Sequence, residues 1–195
     1  MIYSILIDPM LNSSHTRAAS LIKEHSNVLD VACGPGALTL MITMIAETKV
    51  TGIDLDPNMI KYAERKVRKK AIRNARFLLM DATDLTQFND KEFDVAVISL
   101  ALHQFSPEAG LKVLQEMKRV AKSIIIVDYA YPIKAGFYRW FTWTIEWLAG
   151  GDHYCNFKQY QKNGGMDTLL HQAGLRVKER YLQGKGTLMV SLCEF

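Results

Sequence analysis

The stretch VLDVACGPGALTL, residues 28–40, decides how this chain is read. An apolar run of buried-strand character ends in an acid, Asp30. A Cys-Gly-Pro-Gly turn follows, then an apolar stretch of helical character. Gly34 and Gly36 let the backbone turn sharply and approach a ligand with no Cβ in the way. A helix starting near Ala37 would aim unpaired N–H groups at the same space, which suits a carboxylate or a phosphate. Strand, glycine turn and helix in that order predict a parallel βαβ unit, with its ligand beyond the carboxyl ends of the strands.

The same rhythm continues outward. Strands are expected at residues 27–32, 49–55, 76–81, 93–100 and 124–129, and helices at 37–46, 58–71 and 107–121. The first, fourth and fifth strands are nearly continuous Val/Ile/Leu runs, as when helices cover both faces of a sheet. After Tyr129 the pattern changes. An aromatic helix at 137–149 leads into a loop reading GGDHYCNF, a helix at 167–173 and two closing strands at 175–182 and 187–195. The tight Gly184-Lys185-Gly186 connection makes those two antiparallel. The expected fold is an α/β three-layer sandwich with a mostly parallel seven-stranded sheet ending in an antiparallel hairpin. Residues 1–195 form a single domain, long enough to bury its own core.

Composition narrows the class. The cysteines, Cys33, Cys155 and Cys193, are odd in number and far apart, which fits reduced thiols in a cytoplasmic setting and no disulfide framework. The amino terminus has no basic flank or small-residue cleavage site, so no signal peptide is expected. The most apolar stretch, residues 136–150, contains Arg139 and Glu146 and is too short to span a bilayer. No metal constellation is expected, because the histidines are scattered and no carboxylate cluster lies near them. A basic run from Lys61 to Arg76 accounts for the net charge of +4; it reads as a solvated helix face or as a surface tracking a phosphate backbone.

Three acids, Asp30, Asp54 and Asp81, fall at the ends of the first three strands. Asp54 lies 20 residues beyond Gly34, the spacing of a carboxylate that accepts from ribose hydroxyls. A dinucleotide loop would have a third glycine where Thr39 stands, and Pro35 removes an N–H that a pyrophosphate would use. The loop therefore suits a smaller carboxylate, and an NAD-dependent oxidoreductase is disfavoured.

LDVACGPG, VTGIDLDPNMI, LLMDATDL and FDVAVISLALHQF, in this order and spacing over roughly residues 25 to 130, resemble the class I S-adenosylmethionine-dependent methyltransferases. Within that class the resemblance is to the ubiquinone/menaquinone C-methyltransferase-like small-molecule group. The resemblance implies S-adenosylmethionine as cofactor, S-adenosylhomocysteine as product, and a small, largely apolar or aromatic acceptor. It places the methionine end in the loop of Ala32, Cys33, Gly34 and Gly36, with Asp30 near the ammonium. Asp54 would take the ribose hydroxyls, Asp81 and the Ala82 backbone the adenine, and Leu55 and Met59 its faces. Ser99 would also line the cofactor. Ala32 stands where many members have the first glycine. Of the two acids in DLD, Asp54 is preferred, because Asp56 precedes a Pro-Asn helix start and would cap it.

The segment after the fourth strand lacks both the Asn/Asp-Pro-Pro-aromatic run of nucleobase amine methylation and a Pro-Cys pair, so nucleic acid is disfavoured as acceptor. His103 is the candidate base or a structural histidine at a helix start, and Asp128 faces the acceptor or caps a turn. Residues 1–24 and 131–160 would form the lid over the acceptor. Its candidate residues are Tyr3, Phe137, Trp140, Phe141, His153 and Tyr154, with the aromatics read equally as core or dimer contact and His153 as a loop residue. Alternatives are an RNA or protein methyltransferase docking through residues 61–76, or a non-catalytic cofactor-binding module. A peripheral membrane or lipid-like contact and a homodimer are left open.

Overall fold

The computed structural model describes residues 2–45 and 47–195, with side chains from Leu11 onward. In chain order the elements are α1 (Ile2–Ser20), β1 (Asn27–Val31), α2 (Ala37–Ile42), β2 (Lys49–Asp54), α3 (Pro57–Lys69), β3 (Ala75–Leu79) and β4 (Phe93–Ser99). They continue with α4 (Pro107–Val120), β5 (Ala121–Tyr129), α5 (Phe137–Ala149), α6 (Gly151–Lys162), α7 (Met166–Gln172), β6 (Arg176–Gln183) and β7 (Leu188–Glu194). A 3-10 turn, Leu102–Gln104, follows β4.

The strands form one seven-stranded sheet in the order β3-β2-β1-β4-β5-β7-β6. All pairs are parallel except those of β7, which runs antiparallel to β5 and to β6. The sheet is the expected one, with the closing hairpin in place. Strand order reverses between β1 and β4, so the connections leaving these neighbours diverge and open a crevice at their carboxyl ends.

Alternation along the central strands divides the core. Val28, Val95, Val97, Ile125 and Val127 face one way and pack with Ala18 of α1, Ile22 just beyond it, and Leu38 and Ile42 of α2. Leu29, Val31, Ala96, Ile98, Ile124 and Ile126 face the other way, against Val113, Leu114 and Met117 of α4 and Phe157 and Leu170 of α6 and α7. All the β4 and β5 residues in these sets are at most 7% exposed, which explains their unbroken apolar character. The helix starts follow local chemistry. Asp56 accepts from the Asn58 amide at 2.8 Å ahead of Pro57, and Ser106 accepts from the Ala109 amide at 3.2 Å ahead of Pro107.

Three segments depart from the sequence reading. Residues 2–20 are helical, and α1 lies on α2 and on the β5 and β7 side of the sheet. α2 stops at Ile42 instead of running to residue 46; the Thr43 hydroxyl bonds back to the Leu40 carbonyl at 2.7 Å, and its six residues carry little macrodipole. The GGDHYCNF segment is the start of α6, packed on the turn after β4. Gly150 and Gly151, at φ 68° and 53°, make the break between α5 and α6, a conformation open to glycine. Among the described residues no helix is long and apolar enough to cross a membrane.

Candidate functional site

A cleft of about 860 Å³ runs along the carboxyl ends of β1, β2 and β3. Asp30, Asp54 and Asp81 all line it, as do Ala32, Cys33, Gly34, Leu55, Met59, Ala82 and Ser99. Asp54 holds the glycine turn, its carboxylate oxygens accepting from the Gly34 amide at 2.7 Å and the Asp56 amide at 2.9 Å. A carboxylate offers about four lone-pair sites, so capacity remains for a diol. Asp81 accepts from the Thr83 amide at 2.8 Å and is exposed at the cleft wall. Leu55 and Met59 present apolar surface beside it, 69% and 37% exposed.

Asp30 is only 1% exposed and accepts from the Thr39 hydroxyl at 2.5 Å. Thr39 thus occupies the third-glycine position of a dinucleotide loop with a group that steadies this acid. Burial raises the Asp30 carboxyl to about 7, against the lowering effect of Thr39. Burial also pushes the Cys33 thiol up, which favours its protonated form.

The two glycines have different duties. A Cβ on Gly34 would meet nothing within 4 Å, so this turn is open toward the cleft. A Cβ on Gly36 would come within 3.1 Å of Ala63 and 3.2 Å of Phe77. Gly36 is buried against α3 and β3 and does not line the cleft, a correction to its expected place beside the ligand. Ala32 and Leu100, just past β1 and β4, both adopt left-handed backbone, φ 53° and 52°.

Three lining residues had no sequence signal. His15 of α1 shares a hydrogen bond with Ser99 across 2.9 Å, and burial lowers its imidazole to about 4. Leu11 of α1 lines the cleft beside it. Lys66, read only as part of the basic run, also reaches the cleft and donates to the Pro35 carbonyl at 3.3 Å.

Behind Leu100 and Gln104, which line both spaces, lies a second pocket of about 310 Å³. His103 belongs to this pocket and not to the cofactor cleft. Its ring is buried, with Nδ1 2.7 Å from Asp128 Oδ1. Burial alone would lower the imidazole, but the Asp128 carboxylate, by charge and hydrogen bond, and then Glu146 raise it. Asp128 also accepts from the Tyr129 amide at 2.7 Å and the His103 amide at 3.3 Å. Glu146, from the inner face of α5, is 3% exposed; Oε1 accepts from the Tyr129 hydroxyl at 2.7 Å and lies 3.7 Å from His103 Nε2. Its Oε2 lies 3.0 Å from Nε2 of His153 on α6. The expectation of scattered histidines is corrected here: the packing of α5 and α6 on the turn after β4 gathers His103, Glu146 and His153, and places His153 on a helix.

The aromatic residues of α5 divide by face. Phe137 and Trp140 are 57% and 63% exposed, and neither lines the cleft or the second pocket. Phe141 lines a small void with Leu11 and Leu100, where α1 and α5 meet. Tyr154 stands edge-on to Trp143 with ring centres 6.4 Å apart. The Tyr3 side chain lies outside the described residues. The face of α5 that looks inward carries Thr142, Ile145 and Glu146. Spacing of three and four marks that face, but the wealth of aromatic rings on the other side masks it.

Residues 28–123 match the family model described as methyltransferase domain. A demethylmenaquinone methyltransferase of Listeria monocytogenes is 32% identical over 116 residues, 57% of this chain and 48% of that protein. The chain spans about half the length of the curated relatives it matches. Among solved structures, a SAM-dependent methyltransferase from Aquifex aeolicus superposes with a TM-score of 0.65 at 24% identity, over 88% of this chain and 82% of that one. Mitomycin 7-O-methyltransferase gives 0.69 at 16%, over 94% and 54%. With this sheet order, these strand-end acids and this domain match, residues 28–123 form a methyltransferase domain, and the chain has the fold of the solved S-adenosylmethionine-dependent methyltransferases.

Proposed function

We propose that this protein transfers the methyl group of S-adenosylmethionine to a small, largely apolar or aromatic acceptor. The observation that carries the reading is the convergence of Asp30, Asp54 and Asp81 on one cleft whose floor is the open Gly34 turn. A buried carboxylate at Asp30 suits the methionine ammonium, Asp54 suits the ribose diol, and Asp81 with Ala82 suits the adenine edge, between Leu55 and Met59. The cofactor brings a methyl group already activated on a sulfonium. The chain is left to hold the acceptor in line and to exclude water.

The acceptor side is the second pocket. It adjoins the cleft at Leu100 and Gln104, and its other walls are apolar, Ile145, Leu148 and Ala149, except for the side formed by His103, Glu146 and His153. A pocket of about 310 Å³ fits a compact ring compound, with an oxygen turned to that polar side. Residues 131–160 supply most of these walls and α1 closes the cleft at Leu11 and His15, which supports the lid assignment of 1–24 and 131–160. The acceptor walls on α5 and α6 lie outside the matched domain, so the quinone named for the Listeria relative supports only the general class.

Calorimetry with S-adenosylmethionine and S-adenosylhomocysteine tests the cofactor, and labelled methyl transfer to a panel of phenols and hydroquinones tests the acceptor. Binding in the micromolar range, weakened at least about tenfold by Asp54→Ala, is expected. No heat of binding up to about 1 mM cofactor would overturn the reading.

A further inference from the structure

His103, Glu146 and His153 present Nε2, carboxylate and Nε2 atoms that all lie within 4.8 Å of one another. Two observations mark this as more than a buried ion pair. First, Glu146 Oε2 and His153 Nε2 face each other at 3.0 Å, yet neither makes a hydrogen bond of acceptable geometry. Glu146 is 3% exposed, so an oxygen left in that state is costly unless something else satisfies it. Second, the partners on the far sides are already in place. Asp128 occupies Nδ1 of His103, leaving Nε2 as the outward atom, and the Tyr129 hydroxyl holds Glu146 Oε1. Carboxylate–imidazole pairing of this kind orients a metal-bound histidine.

We propose that His103 Nε2, the Glu146 carboxylate and His153 Nε2 form a binding site for a divalent transition-metal ion of zinc's class. Two histidines and a glutamate are a catalytic-type zinc set, which keeps a coordination position open. Tetrahedral bonds of about 2.0–2.2 Å need donor atoms roughly 3.3–3.5 Å apart. The separations of 3.7 Å and 3.0 Å, one to each Glu146 oxygen, bracket that range, and all three donors lie within 4.8 Å, so closing the site on one oxygen takes side-chain shifts of up to about 1 Å. The nitrogen expected to act as a base is in this arrangement a metal ligand. His103, Glu146 and His153 all line the second pocket, so an open position on the bound ion would take an oxygen of the acceptor there and favour its ionised form. That last role rests on the proposed function; metal binding does not.

The test starts with full-length protein stripped by a chelator. Zinc alone is titrated against a chromogenic competitor, alongside His153→Ala and Glu146→Gln, while calorimetry with S-adenosylmethionine serves as a separate check on the cleft. One equivalent bound at sub-micromolar affinity is expected, weakened at least about 100-fold in both variants. X-ray absorption of the zinc-loaded wild type should show nitrogen and oxygen neighbours only, which needs no variant to fold. Absence of stoichiometric uptake below about 10 µM, uptake unchanged by both substitutions, or sulfur in the coordination shell overturns the site. Zinc binding without cofactor binding would overturn the proposed function and leave the metal site standing.

Discussion

Ala32 and Asp30 show how single positions set the properties of the cofactor cleft. Ala32 holds left-handed backbone at φ 53°, which costs a residue with a Cβ about 1–2 kcal/mol. Ala32→Gly removes that strain and adds about 0.5–1 kcal/mol of unfolded-state entropy, so a net gain of up to about 1 kcal/mol is expected. Thermal unfolding should move upward by a few degrees or less; a lower midpoint would show that the methyl contributes packing the strain argument omits. Asp30 titrates near 7 in the free protein, and a bound ammonium favours its ionised form. Below about 7 binding must first remove a proton, so cofactor affinity should fall with decreasing pH, approaching about tenfold per unit. Asp30→Asn should weaken binding at pH 8 and flatten that slope; an unchanged slope would remove Asp30 from contact with the ammonium.

Helix α1 packs on the sheet through Ala18 and adds a polar contact from His15 to Ser99, and that contact is acid-sensitive. The imidazole is neutral when buried and titrates at about 4, against 6.5 when unfolded. Its contribution is fully present above 6.5 and is lost as pH falls toward 4, a swing of about 3 kcal/mol. Asp30 acts in the opposite sense. Its folded value is raised from 3.8 to about 7, so stability is greatest below 3.8 and declines as pH rises through 7. Between about 4 and 6.5 the two slopes oppose each other, and the wild type should show a shallow pH profile of unfolding free energy. Urea titrations of His15→Leu should uncover a steep decline with rising pH, and those of Asp30→Asn a steep rise. Profiles as shallow as the wild type in both variants would remove the compensation.

At the scale of the whole molecule, the two ligand spaces draw on most of its elements. The cleft draws on α1, the ends of β1 to β4 and α3, and the second pocket on the turn after β4, β5, α5 and α6. A ligand bound by the folded state alone stabilises by about 2.7 kcal/mol at a hundredfold excess over Kd. S-adenosylhomocysteine at that excess should raise the unfolding midpoint by roughly 5–10 °C for a domain of this length. The same excess should protect α1 from proteolysis, since Leu11 and His15 line the cleft. A midpoint that rises without protection of α1 would separate that helix from the cofactor site.

Sequence alone determined the sheet and the cofactor side of the cleft. In a parallel sheet every strand end arrives at the same edge, so an acid at the end of each of three apolar runs is placed by local pattern. Asp56 as a cap and Asp54 as the cleft acid followed from the Pro-Asn step between them and the helix, again within a few residues. Tertiary structure decided the rest. Glu146 read as one charge in an aromatic stretch, and His15 as part of an unremarkable amino terminus, because neither has a neighbour in sequence that reveals its role. His103 and His153 stand 50 residues apart and meet only because the Gly150-Gly151 break folds α6 back onto the turn after β4. A strand end obeys a period of two and a fixed edge, whereas the convergence of three side chains from separate helices and turns depends on how those elements pack.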